Sequence, residues 1–173
     1  MATPATVIIT ERNGAPAGSE TTITNTNMVN VDAVNQTVSK TTAITAGGYS
    51  YEKWQRYKVT AFNDATDIGG FKAWASAALT GSDVHKTNAR IAGFVNSAYA
   101  QPIATASTLA DQVMPISEPA SANVGIGGSL TATLATGGGP NQYSDYLIHQ
   151  VAVNAATTVG KSITMNYQYD EYA

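Results

Sequence analysis

Two histidines and twelve carboxylates are the side chains in this sequence that could support acid–base or metal chemistry. His85 and His149 lie far apart, and neither belongs to an HExxH spacing, in which two histidines on one helix face bind zinc. A histidine on a strand is more often a hydrogen-bonded core or interface residue than a ligand, and this is our interpretation of His149. The carboxylates are scattered, and their spacing selects no pair that could act as acid and base.

The glycine-rich segments match neither a nucleotide-binding motif nor a nucleophile motif. Gly125, Gly127 and Gly128 fail the G-x-G-x-x-G pattern because Leu130 occupies its last position, and the GGGP run at 137–140 lacks the lysine of a P-loop. A G-x-S-x-G nucleophile elbow is absent. The sequence therefore predicts a protein that is not an enzyme and has no catalytic residues, cofactor or metal.

Charge and composition exclude several classes of partner. A net charge of −3 and a pI near 5.2 leave no basic field for phosphates, so nucleic acid is not an expected partner. Without cysteine the chain can form neither a disulfide nor a thiolate metal site. No segment approaches the roughly 20 apolar residues of a membrane span, and the first residues do not form a signal peptide. We expect a soluble protein synthesised in the cytoplasm.

The stretch 49–76 holds both tryptophans and two of the three phenylalanines, so it predicts the densest part of the core. Its pattern is that of two strands joined by a turn, a hairpin. On the first strand Tyr57, Val59 and Ala61 share an apolar face. Trp54 lies on the other face among cations. Either a bulge turns Trp54 inward, or both faces are covered, one of them by a neighbouring chain.

Further segments alternate or are rich in β-branched residues, as strands are. Residues 143–153 are apolar on both faces, which is typical of a central strand, and 161–169 show the cleanest alternation. The remaining predicted strands are 6–12, 38–44, 91–99 and 124–136. Seven to nine short strands separated by turn signals predict an all-β fold, an antiparallel β-sandwich of the Ig-like or jelly-roll kind.

The N-terminal residues differ from the rest, and we divide the chain into a first strand with an extended N-terminal arm (1–35) and a β-sandwich domain (36–173). Apolar residues in the arm are too sparse for a strand with its own core and too many for a free tail. Such a segment gains order on a partner. The alternative to a partner-binding arm is a surface strand followed by a long loop. The partner-interface hypothesis comprises Ile23, Met28, Val29, Val31 and Trp54.

Five short segments carry a resemblance to a known group of proteins: 49–54 (YSYEKW), 57–59 (YKV), 71–74 (FKAW), 146–150 (YLIHQ) and 167–171 (YQYDE). In these the chain resembles small virion structural proteins of tailed bacteriophages. The resemblance implies a non-catalytic capsid decoration or cement protein on the virion surface, whose partners are the major capsid protein and further copies of itself. Alternatives are a tail or baseplate component, or a carbohydrate-binding β-sandwich that uses Trp54 or Trp74 as a platform.

Overall fold

Regular structure in this protein is almost entirely β, in keeping with its many Thr, Val, Ile and Tyr residues. The computed structural model describes residues 2–16, 18–90, 98–156 and 162–173. Within them the strands are β1 (Thr6–Arg12), β2 (Glu20–Thr22), β3 (Lys53–Ala61), β4 (Asp67–Ala75), β5 (Val84–Thr87), β6 (Gln112–Val113), β7 (Leu134–Ala135), β8 (Gln142–Tyr143), β9 (Leu147–Ala152) and β10 (Met165–Tyr172), with one 3-10 turn at Thr136–Gly138.

The strands form two antiparallel sheets. The large sheet has the order β2-β1-β3-β9-β5-β6, with β8 also paired to β3, and the small sheet has the order β10-β4-β7. The sheets face each other across an apolar core in which the Tyr57 and Phe71 rings lie 4.5 Å apart. This confirms the predicted all-β antiparallel sandwich. In the described part of the chain, no helix has the length and apolar character that crossing a bilayer requires.

The predicted hairpin over 49–76 is wrong, although the prediction of a dense core there is confirmed. β3 belongs to the large sheet and β4 to the small sheet, so the two strands are not paired. The turn between them carries the chain from one layer to the other. The physical reason is that Tyr57 on β3 and Phe71 on β4 both face inward, so each strand buries its apolar face against the other.

Trp54 shows that both faces of β3 are covered by the chain itself. The cross-strand register runs without a bulge through Trp54, which lies beside Arg12 on one side and Ile148 on the other. Its indole is fully buried and meets the rings of Tyr99 and Tyr146 edge-on, at centroid distances of 5.3 and 5.5 Å. A neighbouring chain is not needed to explain the mixed face of β3.

Residues 1–35 do not form an arm that extends from a separate domain. β1 lies between β2 and β3 and is paired with β3 along its length. The irregular segment that follows β2 folds back on the chain, where the Tyr51 N–H donates to the Val29 carbonyl at 2.9 Å. The Asn35 side chain accepts from the Thr24 N–H at 2.6 Å. The segment therefore packs on the sandwich of the same chain, and Val29 is fully buried there.

Several strand predictions shift when the structure is compared with the sequence. Residues 143–153 divide into β8 and β9, and β9 lies between β3 and β5, which confirms a central strand. The last strand begins later than predicted, at Met165, and its Met165, Tyr167 and Tyr169 pack on the core as alternation predicted. Residues 38–44 form no strand and consist of turn and irregular structure, and β7 is the one strand within 124–136. Most of the predicted strand 91–99 lies outside the described residues.

Candidate functional site

The inner face of the large sheet changes character along its strands. Cross-strand partners share a face, so the register places alternate residues of β1, β3, β9 and β5 together against the small sheet. The apolar end of this face comprises Val7, Ile9, Tyr57, Val59 and Leu147. The polar end comprises Glu11, Lys53, Gln55, His85 and His149. The two ends share β1, β3 and β9, and the polar end also includes His85 on β5.

The polar-end residues form one hydrogen-bonded series, the histidine network. Glu11 Oε1 accepts a hydrogen bond from Lys53 Nζ at 2.9 Å, and Glu11 Oε2 accepts one from Gln55 Nε2 at 2.8 Å. His149 Nε2 lies 3.0 Å from Gln55 Oε1, and His85 Nε2 lies 2.9 Å from His149 Nδ1. Of the five residues His85 is the most exposed, at 6%. The network is therefore an internal structure that solvent barely reaches.

The bonding fixes both imidazole tautomers. Gln55 donates its amide N–H to Glu11, so its Oε1 must accept, and His149 must carry its proton on Nε2. The lone pair on His149 Nδ1 then accepts from His85, whose proton lies on Nε2. His85 Nδ1 is left as a buried acceptor without a partner in the described residues. Only neutral rings satisfy this order, because a second proton on either ring would meet no acceptor.

Burial also favours neutral imidazoles. Desolvation lowers the pKa of His85 from 6.5 to about 4. The pKa of His149 falls well below 6.5, first through desolvation and then through the nearby His85 and Lys53. Both rings are thus uncharged near neutral pH. The prediction that His149 is a hydrogen-bonded core residue is confirmed by its burial and by partners on both ring nitrogens.

A groove of about 900 Å³ opens beside this network. Its walls come from both layers of the sandwich: β1, the segment after β2, the 38–44 segment, β5, β9 and the start of β10. Tyr167 on β10 joins the groove to the histidine network, because its ring lines the groove and its hydroxyl donates to Gln55 Oε1 at 2.6 Å. The described lining residues include Ile8, Ile9, Ile23, Met28, Ala43, Ile44, Asp83, His85, Val151, Ile163, Met165 and Tyr167.

A second apolar surface, the Val113 patch, lies at the edge of the large sheet. Val113 on β6 is 69% exposed and Ile116 is 54% exposed. Beside them lies a small cleft of about 190 Å³, lined partly by Ala75, Ala77 and Ala78. Exposed aliphatic side chains next to a cleft of small residues form a surface suited to contact with another protein.

The five residues of the predicted partner interface are not brought together. Ile23 and Met28 are half-buried and line the groove, and Val31 is at the surface with 36% exposed. Val29 and Trp54 are fully buried within the single chain and present no surface to a partner. Of the two tryptophans, only Trp74 reaches solvent.

Sequence reasoning missed Glu11, Lys53 and Gln55 as members of a site. Their signal was present, since Glu11 continues the inward positions of Val7 and Ile9 on β1. A charged residue at an inward position requires a buried partner. In the described residues, no group of three His, Asp or Glu side chains is arranged to hold a metal ion. Comparison of the chain with protein-family models, curated proteins and solved structures found no match.

Proposed function

We propose that this protein is a non-enzymatic virion structural protein that decorates a capsid by binding the major capsid protein. The observation that carries the proposal is the Val113 patch on a charge-poor chain, in which only 12% of residues are charged. A lattice-binding protein needs uncharged contacts that can be repeated many times without desolvating ionised groups. The resemblance to phage virion proteins and the β-sandwich fold agree with this role.

The chemistry of the histidine network supports a structural role. Its ionisable groups are buried, and each is engaged by another member of the network except at His85 Nδ1. Of the five residues only His85 lines the groove, and it is only 6% exposed, so a substrate in the groove would contact little of the network. In this proposal the histidine network stabilises the fold, and the Val113 patch binds the partner.

The proposed location is the capsid surface, after synthesis in the host cytoplasm, and the proposed partners are the shell and further copies of the protein. A quantitative mass-spectrometric inventory of purified particles tests this. Hundreds of copies per particle support decoration. A few copies or dozens would instead indicate a tail or baseplate component, and absence from particles would refute both.

The surface assignment is tested by rebinding the purified protein to undecorated shells. Val113→Asp places a charge at the centre of the patch, and we expect at least a tenfold loss of shell affinity without a change in thermal midpoint. Thr131→Asp is the matched control, because Thr131 is also exposed and lies away from the patch. Equal shell binding by both variants would contradict the assignment. Truncation of residues 1–35 is not a suitable test, since it removes β1 from the sheet.

A further inference from the structure

β10 is the long unpaired edge of the described sandwich. It has eight residues, whereas the outer strands β2 and β6 of the large sheet have three and two, and β7 has two. Short edge strands are a common protection against unwanted pairing. The edge of β4 that faces away from β10 is covered where β7 does not reach. There the Asn123 side chain bonds the Ala73 backbone, and the Pro115 carbonyl accepts from the Ala75 N–H. No described residue covers the outer edge of β10 in this way.

The register shows which groups of β10 face outward. Ala73 and Ala75 direct their N–H groups away from β10, to Asn123 and Pro115. Residues opposite each other in an antiparallel ladder either exchange two hydrogen bonds or both point away. Met165 lies opposite Ala75 and Tyr167 opposite Ala73, so both direct their N–H and C=O groups to the open edge. No described residue bonds these four groups.

The open edge and the groove share residues. The side chains of Met165 and Tyr167 line the groove, and their backbone groups are those left unpaired. A chain segment lying in the groove could therefore make ladder hydrogen bonds to β10 and bury side chains in the groove. This combination of an open edge and adjacent side-chain pockets is what recognition by strand addition requires.

We propose that an extended segment of a partner protein binds in this groove and adds to β10 as a fourth strand of the small sheet. The segment is uncharged and carries aliphatic or β-branched side chains at alternate positions. Asp83 is the one carboxylate among the described lining residues, with no Lys or Arg, and its Oδ1 already accepts from the Asn154 N–H at 2.8 Å. Aliphatic lining from Ile9, Ile23 and Met28 provides matching apolar surface.

Charge also limits where the added strand lies. Asp170 and Glu171 are exposed at the far end of β10, and a bulge at this point interrupts the ladder opposite Gly69. Charged residues and bulges both discourage pairing at an edge. The binding stretch is thus the uncharged half of β10 before the bulge, Met165 to Gln168, about 14 Å long at roughly 3.4 Å per residue. This inference does not depend on the capsid assignment, and either can fail alone.

The test selects a library of random decapeptides against the immobilised full-length protein. We expect enriched peptides that are uncharged, with Val, Ile or Thr at alternate positions. N-methylation along one such peptide should weaken binding at least tenfold at every second residue, because only alternate N–H groups face β10. Failure to enrich any peptide, enrichment of charged or helical peptides, or an N-methylation pattern without a period of two would each overturn the proposal.

Two variants locate the binding. Ala43→Trp fills the groove from an exposed position on its wall, and we expect it to reduce peptide affinity at least tenfold. Ala120→Trp is the matched control at an exposed alanine outside the groove, and it should bind like the parent. Equal binding by both variants would overturn the location. If the protein alone forms a dimer that Ala43→Trp abolishes, the occupant is a second copy and the proposed partner is wrong.

Discussion

The two ends of the inner face of the large sheet share β1, β3 and β9 but are built by different physics. At the apolar end, Tyr57, Val59 and Leu147 are stabilised by burial against the small sheet. At the polar end, Glu11 and His149 occupy equivalent inward positions and are held by directed hydrogen bonds. Apolar packing accepts many shapes of similar volume, whereas a buried polar network depends on each member. The difference predicts opposite responses to substitution.

The largest effect is expected from Glu11→Ala at the polar end. The change leaves the Lys53 ammonium buried without its carboxylate, and loss of one partner of a buried pair typically destabilises by about 3–5 kcal/mol. Chemical denaturation measures the free energy of unfolding. Glu118→Ala is the control, because it removes the surface partner of Lys72 and should leave the midpoint unchanged. Equal midpoints for the two variants would show that the Glu11 pair is not needed.

A double substitution sharpens this result. Replacing Glu11 by Leu and Lys53 by Met together removes both charges, and buried pairs replaced by apolar residues are often as stable as the original. We expect the double variant to regain much of the stability lost in Glu11→Ala, as a double-mutant cycle would measure. A double variant less stable than Glu11→Ala would mean that the remaining bonds to Gln55 and Asn13 dominate.

At the apolar end, volume is the governing quantity. Leu147→Ala should cost about 2–5 kcal/mol through lost burial and a cavity, whereas Leu147→Met should cost less than about 1.5 kcal/mol. The polar end should not tolerate the corresponding conservative change, since Glu11→Gln keeps the shape but removes the charge that Lys53 requires. If chemical denaturation shows that Glu11→Gln costs no more unfolding free energy than Leu147→Met, the two ends respond alike to conservative substitution.

The same contrast explains what the sequence could predict. A high density of β-branched residues located β1. Alternation located the inward residues of β10, because burial against a second layer imposes a period of two. It did not predict the histidine network, since Glu11 and His149 are polar at positions where the pattern expects apolar residues. Their partners lie on two other strands, β3 and β5, and such pairing depends on the cross-strand register.

Long-range topology and the groove were less predictable still. The hairpin prediction failed because the turn chemistry after Phe62 fits a crossing between layers as well as a return within one. The groove is formed by segments distant in sequence. From the sequence, Ile23 and Met28 were named only as partner-interface residues, and Met165 and Tyr167 only as one face of the last strand. Their backbone exposure follows only from the pairing of β4 and β10.

Acid should destabilise the polar end selectively. The pKa of His85 is about 4 in the folded protein against 6.5 normally, so between these values the unfolded chain binds more protons. The stabilisation is complete above pH 6.5 and is lost as the pH falls towards 4. At about 1.36 kcal/mol per pKa unit, the fall from 6.5 to about 4 corresponds to roughly 3 kcal/mol of unfolding free energy from the His85 ring.

The measurement is the free energy of unfolding at several pH values from 7 to 4. A variant carrying His85→Phe and His149→Leu lacks both titrating rings and should show a flatter profile over this range. Other groups titrate in both proteins and cancel in the difference. One is Glu20, where burial raises the pKa but hydrogen bonds from Arg56 and Thr10 lower it overall. Parallel profiles would contradict the assignment of the acid sensitivity to the histidines.

The smallest effects compare one hydroxyl at each end. The Tyr57 hydroxyl accepts from the Gln168 N–H at 3.2 Å and donates to the Lys72 carbonyl, so it completes the β4–β10 ladder next to the bulge. Tyr57→Phe removes both of these hydrogen bonds and should cost about 1–3 kcal/mol. The Tyr167 hydroxyl donates to Gln55 Oε1, which keeps a second donor in His149 Nε2.

Tyr167→Phe should therefore cost only about 0.5–1.5 kcal/mol, because no buried group loses its last partner. Chemical denaturation of the two Phe variants at pH 7 decides the order. A smaller loss for Tyr57→Phe would mean that the strands close the gap at the bulge without the hydroxyl. A larger loss for Tyr167→Phe would mean that the His149 bond to Gln55 depends on the tyrosine, so that the histidine network extends to the wall of the groove and a ligand bound there would alter its stability.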